Sequence, residues 1–338
     1  MILWKGHKYV MNKKRLLSNL MLLLTAFIWG SSFVAQSMGS DHLGALSFCG
    51  IRYPISVIAM IPVVMVTQAA KRKRLLAQAA DGAHVPTAGI SPFDLRTFDG
   101  AEESHRKQQR KDLLLGGLFC GTFMFVGTVT QQMGLAFTSA GKAGFLTALY
   151  VVLVPIFALL VFRQKPGLLG WAGVLLGVAG LYFLCVTGTF TIEGGDLVIL
   201  LGSLFWAGHI LAAEFFMKKG CDGVRLSQLQ FAVCGLFSII AMFLFEEPSL
   251  TDIWASIIPL LYTAILSSVV GFTLQLLGQK NTNPTVASLI LSLESVFAAV
   301  CGAIVLQETM SAREIGGAAL LFAGIILSQL PAPTKKQA

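Results

Sequence analysis

Charge is scarce in this chain. Asp, Glu, Lys and Arg make up 12% of its 338 residues, about half of the ~25% usual in a soluble domain. The short motifs of several enzyme classes are missing as well. There is no HExxH, no GxSxG, no paired-Asp motif and no GxxxxGK[ST] phosphate loop, so zinc proteolysis, a nucleophile elbow and ATP-driven pumping within one chain lose their sequence support. Cysteine is sparse and unpatterned. Of six cysteines, Cys49, Cys120, Cys185, Cys234 and Cys301 fall in apolar stretches and Cys221 in a connection, with no CxxC or Cys/His spacing to suggest a disulfide framework or a metal site.

Apolar sequence fills the space that charge leaves. Hydrophobic residues reach 55% and the mean hydropathy is +0.74. Many stretches approach the length of about 20 residues that a helix needs to cross roughly 30 Å of hydrocarbon. In lipid the backbone must satisfy its own hydrogen bonds, so these stretches predict helices. Ten spans are expected: 17–37, 45–67, 113–133, 140–162, 167–187, 196–216, 226–245, 253–276, 284–306 and 313–330. The first follows Lys13-Lys14-Arg15 and imitates a signal peptide, but it is too long for an h-region and lacks a cleavage site, so it is read as a span. Residues 1–10 read as an upstream extension before Met11-Asn12-Lys13-Lys14.

The net charge of +8 is compatible with a nucleic-acid partner until its placement is considered. With the N-terminus inside and ten spans, 22 of the 25 Lys and Arg fall on the cytoplasmic side; Lys142 and Arg313 fall outside and Arg52 lies within a span. The outer connections carry Asp41, Glu193, Glu246, Glu247 and Asp252. This positive-inside asymmetry orients a multi-pass protein with both termini cytoplasmic, expected in the cell (plasma) membrane of a bacterium, the inner membrane. The loop 68–112, with Lys71-Arg-Lys-Arg74 and Arg106-Lys107, is expected to be a flexible inner loop touching anionic lipid. Lys335-Lys336 matches a dilysine pattern but is explained by the same asymmetry.

The sequence also repeats itself. Residues 127–180 shifted by 144 positions fall on 271–324 without a gap, and 12 of the 54 positions are identical. Upstream the register is 177, placing Leu24–Trp29 over Leu201–Trp206. Each half holds five spans, an odd number, so the second half enters from the opposite side. The loop charges swap accordingly: 68–112 carries nine Lys or Arg, whereas 246–252 carries none and three acids. The expected fold is all-α integral membrane, ten transmembrane helices as two inverted five-helix repeats, the arrangement that supports alternating access. The expected units are a tail at 1–16, a first repeat at 17–187, a second at 196–330 and a tail at 331–338.

Several polar residues sit where lipid contact is costly. Glu294 lies in the middle of its span, where an ionised carboxylate costs ~2.5–3.5 kcal/mol on insertion scales. It is either a structural hydrogen-bonding acid or a group on the solute or proton pathway, and its equivalent at offset 144 is Tyr150. Around it Ala287, Ser288, Ser292, Ser295, Ala298, Ala299 and Gly302 share one helical face, which is either close packing or a cavity wall. In the first span Thr25, Trp29, Ser32 and Gln36 form a stripe whose equivalents include Trp206 and His209. The two tryptophans read as filling, as interface anchors or as pathway residues, and His209 as a packed core residue or a ligand. Gln131 and Gln275 coincide in register. Arg52 and Lys142 near outer ends either snorkel or attract an anion. Asn283-Pro284 has the chemistry of a helix start. Pro155 and Pro259 predict kinks, and Gly117-x3-Gly121 and Gly173-x3-Gly177 predict close helix contacts.

These residues, in this order, resemble the drug/metabolite transporter superfamily, specifically its EamA-type ten-helix permeases. The resemblance covers about 16–330 and rests on Leu24-Thr-Ala-Phe-Ile-Trp-Gly-Ser-Ser-Phe33, Gly144-Phe-Leu-Thr-Ala-Leu-Tyr-Val-Val-Leu-Val-Pro155, Phe205-Trp-Ala-Gly-His209, Leu226-Ser-Gln-Leu-Gln230, and Ser292-Leu-Glu-Ser-Val-Phe-Ala298 followed by Glu308-Thr309. It implies two inverted repeats around a central cavity that carries metabolites, amino acids or drugs, often outward. Members commonly have proline after the glutamate of the ninth span, where this chain has Ser295, so a straighter ninth helix is expected. The resulting expectation is a secondary transporter or facilitator, an exporter, with no cofactor. Its partners are a small-molecule substrate and membrane lipids, not nucleic acid, and a homo-oligomer is left open. The competing expectation is a membrane-embedded enzyme acting on a lipid or polyprenyl carrier.

Overall fold

The computed structural model describes residues 13–80, 100–137, 140–186, 194–306 and 311–330. Among them there are helices and connections but no strand. Helices α1 (Lys13–Ser40), α2 (Ala45–Ala80) and α3 (Gly100–Leu135) are continuous. The fourth expected span is two helices, α4 (Ala140–Ala148) and α5 (Tyr150–Phe162), followed by α6 (Leu168–Cys185), α7 (Gly194–Lys218) and α8 (Gly223–Phe245). The eighth comprises α9 (Leu250–Ala255), α10 (Ile257–Leu261), a π-helical segment (Tyr262–Phe272) and α11 (Thr273–Gln279). The ninth is split into α12 (Pro284–Leu291) and α13 (Glu294–Leu306), and α14 (Ala312–Gln329) closes the bundle. Eight stretches among the described residues are long and apolar enough to cross a membrane, and Leu168–Leu184 is apolar but shorter.

The basic connection is less loop-like than expected. α2 runs on to Ala80 and α3 begins at Gly100, so helix occupies much of 68–112; residues 81–99 lie outside the described residues. So do residues 1–10, Glu193, Glu308-Thr309 and Lys335-Lys336, named above.

Two carboxylates fix the antiparallel pair α2–α8 at both ends. Asp222 precedes α8 in an extended conformation and accepts from the Val224 and Arg225 N–H groups at 3.0 and 3.1 Å, which caps the helix. Its other oxygen takes Gln68 at 3.0 Å and the Lys71 ammonium, both near the C-terminal end of α2. At the opposite end Glu246, just past α8, accepts from the Leu46 and Ser47 N–H groups of α2 at 3.1 and 2.7 Å. A Cβ on Gly44 would overlap that carboxylate, so glycine is needed there for the contact. Burial by itself would raise the pKa of Asp222, but the Lys71 ammonium and the bonds from Arg225 and Gln68 outweigh it and hold the carboxyl below its ordinary value. Asn283 caps α12 by accepting from Thr285 N–H at 2.9 Å, with Pro284 in the first turn, as the sequence predicts.

Glycine permits the tightest seams. On α6 and α14 the approaches are reciprocal. A Cβ on Gly173 would lie 2.6 Å from the Gly324 carbonyl oxygen, and one on Gly324 the same distance from that of Gly173. Gly180 and Gly317 stand in the same relation, again at 2.6 Å. Gly117 and Gly121 lie equally close to Leu229 and Val233 of α8, so both expected glycine pairs serve close contact.

The ninth span is not straighter. It breaks between α12 and α13 at Ser292-Leu293, although no proline stands at the break. The Ser288 and Ser292 hydroxyls donate back to the Thr285 and Leu289 carbonyls at 2.9 and 2.8 Å, and such back-bonding competes with the helical ladder. Leu293 and Ser295 N–H then bond three residues back, to Ile290 and Ser292 at 3.2 Å each, the tighter 3₁₀ pattern. In the fourth span the break falls at Leu149, and helix continues through Pro155. In the eighth span helix breaks at Ser256, before Pro259, and then widens into the π segment. α12 is buried on every side, so its apolar face also packs against protein.

Candidate functional site

The fourth, eighth and ninth spans, together with α1, α2, α3 and α7, surround one polar cavity. Its walls include Trp29, Ser32 and Gln36 from α1, Arg52 from α2, Gln131 from α3, Tyr150 from α5, Trp206 from α7, Gln275 from α11 and Glu294 from α13. These expected residues, scattered over some 265 positions from Trp29 to Glu294, therefore meet in one place. About 40 Å³ is open to water centres, room for about three waters at ~10–15 Å³ each. Sites that enclose a drug-sized molecule run to ~300–1,000 Å³, so the helices here are closed on the site. A larger space of about 590 Å³ lies between α3, α5 and α7. Its walls are Phe, Leu, Val, Ala and Gly, with no polar side chain to orient a solute.

A chain of hydrogen bonds crosses the cavity wall. Arg52 is 3% exposed, so it does not snorkel. Its guanidinium donates to the hydroxyls of Ser268 and Ser267 at 3.0 and 3.2 Å, and no carboxylate among the described residues lies within ion-pair distance. The π segment places these two serines: the Ser268 hydroxyl donates to Thr263 C=O, five residues back, at 3.0 Å. Ser267 donates to Ser32 at 3.2 Å, and Gln36 donates to Ser32 at 3.3 Å. Gln131 donates to Gln36 at 3.2 Å and accepts the Trp206 indole N–H at 3.1 Å. The Trp29 indole N–H goes instead to the Ser267 carbonyl at 3.1 Å. The two indoles lie side by side, tilted by 43° with ring centres 6.4 Å apart.

Glu294 is 4% exposed and accepts the Tyr150 hydroxyl at 3.0 Å. The break at Leu293 makes it the first residue of α13. A carboxylate at a helix N-terminus gains ~0.3–1 kcal/mol from the helix dipole, up to ~2 when partly buried. That offsets part of the cost of placing it at this depth. Tyr150 likewise opens α5. The cavity thus has one carboxylate and one guanidinium on its walls, separated by hydroxyls, amides and indoles.

Three expected residues stand apart. His209 is fully buried one layer back, its Nε2 donating to Gln230 Oε1 at 3.0 Å, and it reaches the cavity only edge-on through Trp206 and Phe272. Ser292 is buried with its hydroxyl turned to its own helix. The side chain of Lys142 lies outside the described residues. Sequence reasoning missed Ser267, Phe272, Thr128 and Thr147, which also line the cavity. The adjacent pair Ser267-Ser268 in a span already marked by Pro259 was the available signal.

Comparison with known proteins follows this geometry. The profile of the EamA-like transporter family matches residues 100–186 and 193–330. A protein of Archaeoglobus fulgidus named an uncharacterized transporter is 28% identical over 317 residues, covering 94% of this chain and 87% of its own. The uncharacterized transporter YoaV of Bacillus subtilis is 22% identical over 315 residues, covering 91% and 94%. A crystal structure with 16% identity matches 92% of this chain and 96% of its own with a TM-score of 0.66, which speaks to the fold alone. With the family profile matching well over half of this multi-span membrane protein, the chain belongs to the EamA-like transporter family.

Proposed function

We propose that the chain is a secondary transporter or facilitator of small metabolites, an exporter, working by alternating access between two inverted five-helix repeats at 17–187 and 196–330. Ten helices span the membrane in this reading, α6 and α14 completing the count, with the basic face and both termini in the cytoplasm of a bacterial inner membrane. Equivalence supports the inversion. Two halves related by a two-fold axis make reciprocal contacts, residue i to j and j to i, and meet their own equivalents on the axis. Gly173 and Gly180 correspond to Gly317 and Gly324 at offset 144, and their contacts cross over in that way. Trp29 meets Trp206, its equivalent at offset 177.

The observation that carries the proposal is the hydrogen bond between Tyr150 and Glu294, equivalents at offset 144, over a polar cavity. In this reading the carboxylate stands where the two halves meet, so that motion of one half against the other changes its partners. Glu294 is the group that binds solute or a proton in turn, and Arg52 supplies a fixed positive charge on the same cavity. At about 40 Å³ the site is closed, and a solute enters only when the halves part.

The test is a metabolite-release comparison. Cells with and without the protein are grown alike and their media compared by mass spectrometry; at least one metabolite is expected to accumulate outside only when the protein is present. Glu294→Gln is expected to change the rate or its dependence on pH between about 5 and 8. No reproducible difference between the media would overturn transport and favour the lipid-acting enzyme. Unchanged kinetics in the variant across that range would overturn the role of Glu294.

A further inference from the structure

The polar groups around the cavity divide into those already bonded and those that are not. The chain from Arg52 to Trp206 uses its hydroxyls and amides internally. Trp29 is satisfied by Ser267, Thr128 by Met124 C=O at 2.8 Å, and Tyr150 by Glu294. What remains is Gln275 and Thr147. Gln275 is fully buried, lines the cavity, and has a partner at neither Oε1 nor Nε2, so turning its amide over changes nothing. Thr147 is 3% exposed, lines the same cavity, and its hydroxyl has no partner.

An unsatisfied buried amide costs ~1–3 kcal/mol, and at these depths the cost is not relieved by bulk water. The contrast with Gln131 is informative, because the two glutamines are equivalent at offset 144. Gln131 holds the Trp206 indole on one side and Gln36 on the other. In the second half the corresponding indole, Trp29, has gone to the Ser267 carbonyl, which leaves Gln275 idle. One glutamine is scaffold. The other keeps its full hydrogen-bonding capacity beside a space the size of a few waters.

We propose that Gln275 and Thr147 bind the transported solute, Gln275 through both edges of its amide, and that the solute carries a hydrogen-bond donor and an acceptor near one another. Gln275 lies on α11 and Thr147 at the end of α4, so the solute bridges one segment from each half. This rests on the transport reading above. It adds a selection rule: a solute lacking either partner leaves the amide half-paired, and sites built around hydrogen bonds reject such analogues strongly.

The experiment uses the full chain and, as probes, the metabolites whose external level rises with the wild type. Gln275→Leu and Thr147→Val are each expected to lower kcat/KM for those metabolites about tenfold or more. Purified Gln275→Leu is expected to melt no lower than wild type, since it removes an unpaired group, whereas Gln131→Leu melts lower because Trp206 and Gln36 lose their partner. The metabolites moved are expected to carry both a donor and an acceptor. Wild-type kcat/KM in both Gln275→Leu and Thr147→Val, or transported metabolites with no donor or no acceptor, would overturn the assignment while leaving transport standing. A wild type that moves nothing would overturn the transport reading, and this assignment with it.

Discussion

Spans 140–162 and 284–306 share the 144-residue register and differ in chemistry. Both break at the same place, Leu149 and Leu293, 144 positions apart. The first has a proline six residues after its break, and the second has none. In the second, serine hydroxyls turned back on the helix occupy carbonyls at 2.8 and 2.9 Å and the next turn tightens. The comparison teaches that the break is a property of the position. What the position achieves is the same in both: a polar side chain, Tyr150 or Glu294, at the first residue of a new half-helix, facing its counterpart at 3.0 Å.

The strongest way to break this equivalence is at the glycine seam. Gly173→Ala and Gly317→Ala each place a Cβ about where an opposing carbonyl sits, at 2.6 Å for Gly324 and Gly180 respectively. Neither backbone can yield cheaply, so each is expected to destabilise by ~1–3 kcal/mol, read as a lower Tm of the purified protein. Equal losses in the two variants sharpen the equivalence of α6 and α14. A loss in one alone would show that the crossing is not reciprocal in energy.

A smaller effect separates the two carboxylate ties. Asp222 caps its own helix and also holds Lys71, while Glu246 reaches across from α8 to α2. Asp222→Ala is expected to cost ~1 kcal/mol as a lost cap, with little more from Lys71, whose side chain is 49% exposed. The sign of the pH dependence follows from the depressed pKa of Asp222. Its contribution is present above the ordinary carboxyl value of about 3.9 and is lost as pH falls through the lower folded value. Wild type and Asp222→Ala are therefore expected to converge in stability only below about pH 4. Convergence already near pH 6 would mean that the carboxylate is not held by Lys71.

Much of this was legible in the sequence, for physical reasons that differ by feature. Apolar length is a one-dimensional property, so spans such as 196–216 and 226–245 match α7 and α8 to within a few residues. Part of the cavity wall was legible because polar groups are costly against lipid, which singled out Gln36, Gln131 and Glu294; whether each packs, anchors or lines a pathway stays open in the sequence. Arg52 was not legible, because snorkelling and burial look identical until Ser267 and Ser268 are seen beside its guanidinium. Those serines reach it only through a π segment, which leaves no pattern that apolar periodicity would detect. For His209 the sequence leaves a packed core residue and a ligand both open, and its bond to Gln230 keeps it behind the Trp206 and Phe272 rings.

The finest test of the comparison places in the second region the proline that the resemblance leads one to expect after Glu294. Ser295 is the second residue of α13, within the first turn, where proline is tolerated because the N–H groups lack an α-helical partner four residues back. Ser295→Pro removes the 3.2 Å bond from Ser295 N–H to Ser292 C=O and the hydroxyl bond to Gly144 C=O, also 3.2 Å. It also fixes the backbone in the conformation that the break already requires, which stabilises by limiting the unfolded chain. The two contributions nearly cancel, and Tm is expected to shift by less than ~1 kcal/mol would cause. Proline at Ser288, in the middle of α12, would lack this tolerance and cost ~3 kcal/mol. If Ser295→Pro proved as damaging as Ser288→Pro, the ninth span would be one continuous helix under load, and the break at Leu293 would not be the position-bound counterpart of the break at Leu149.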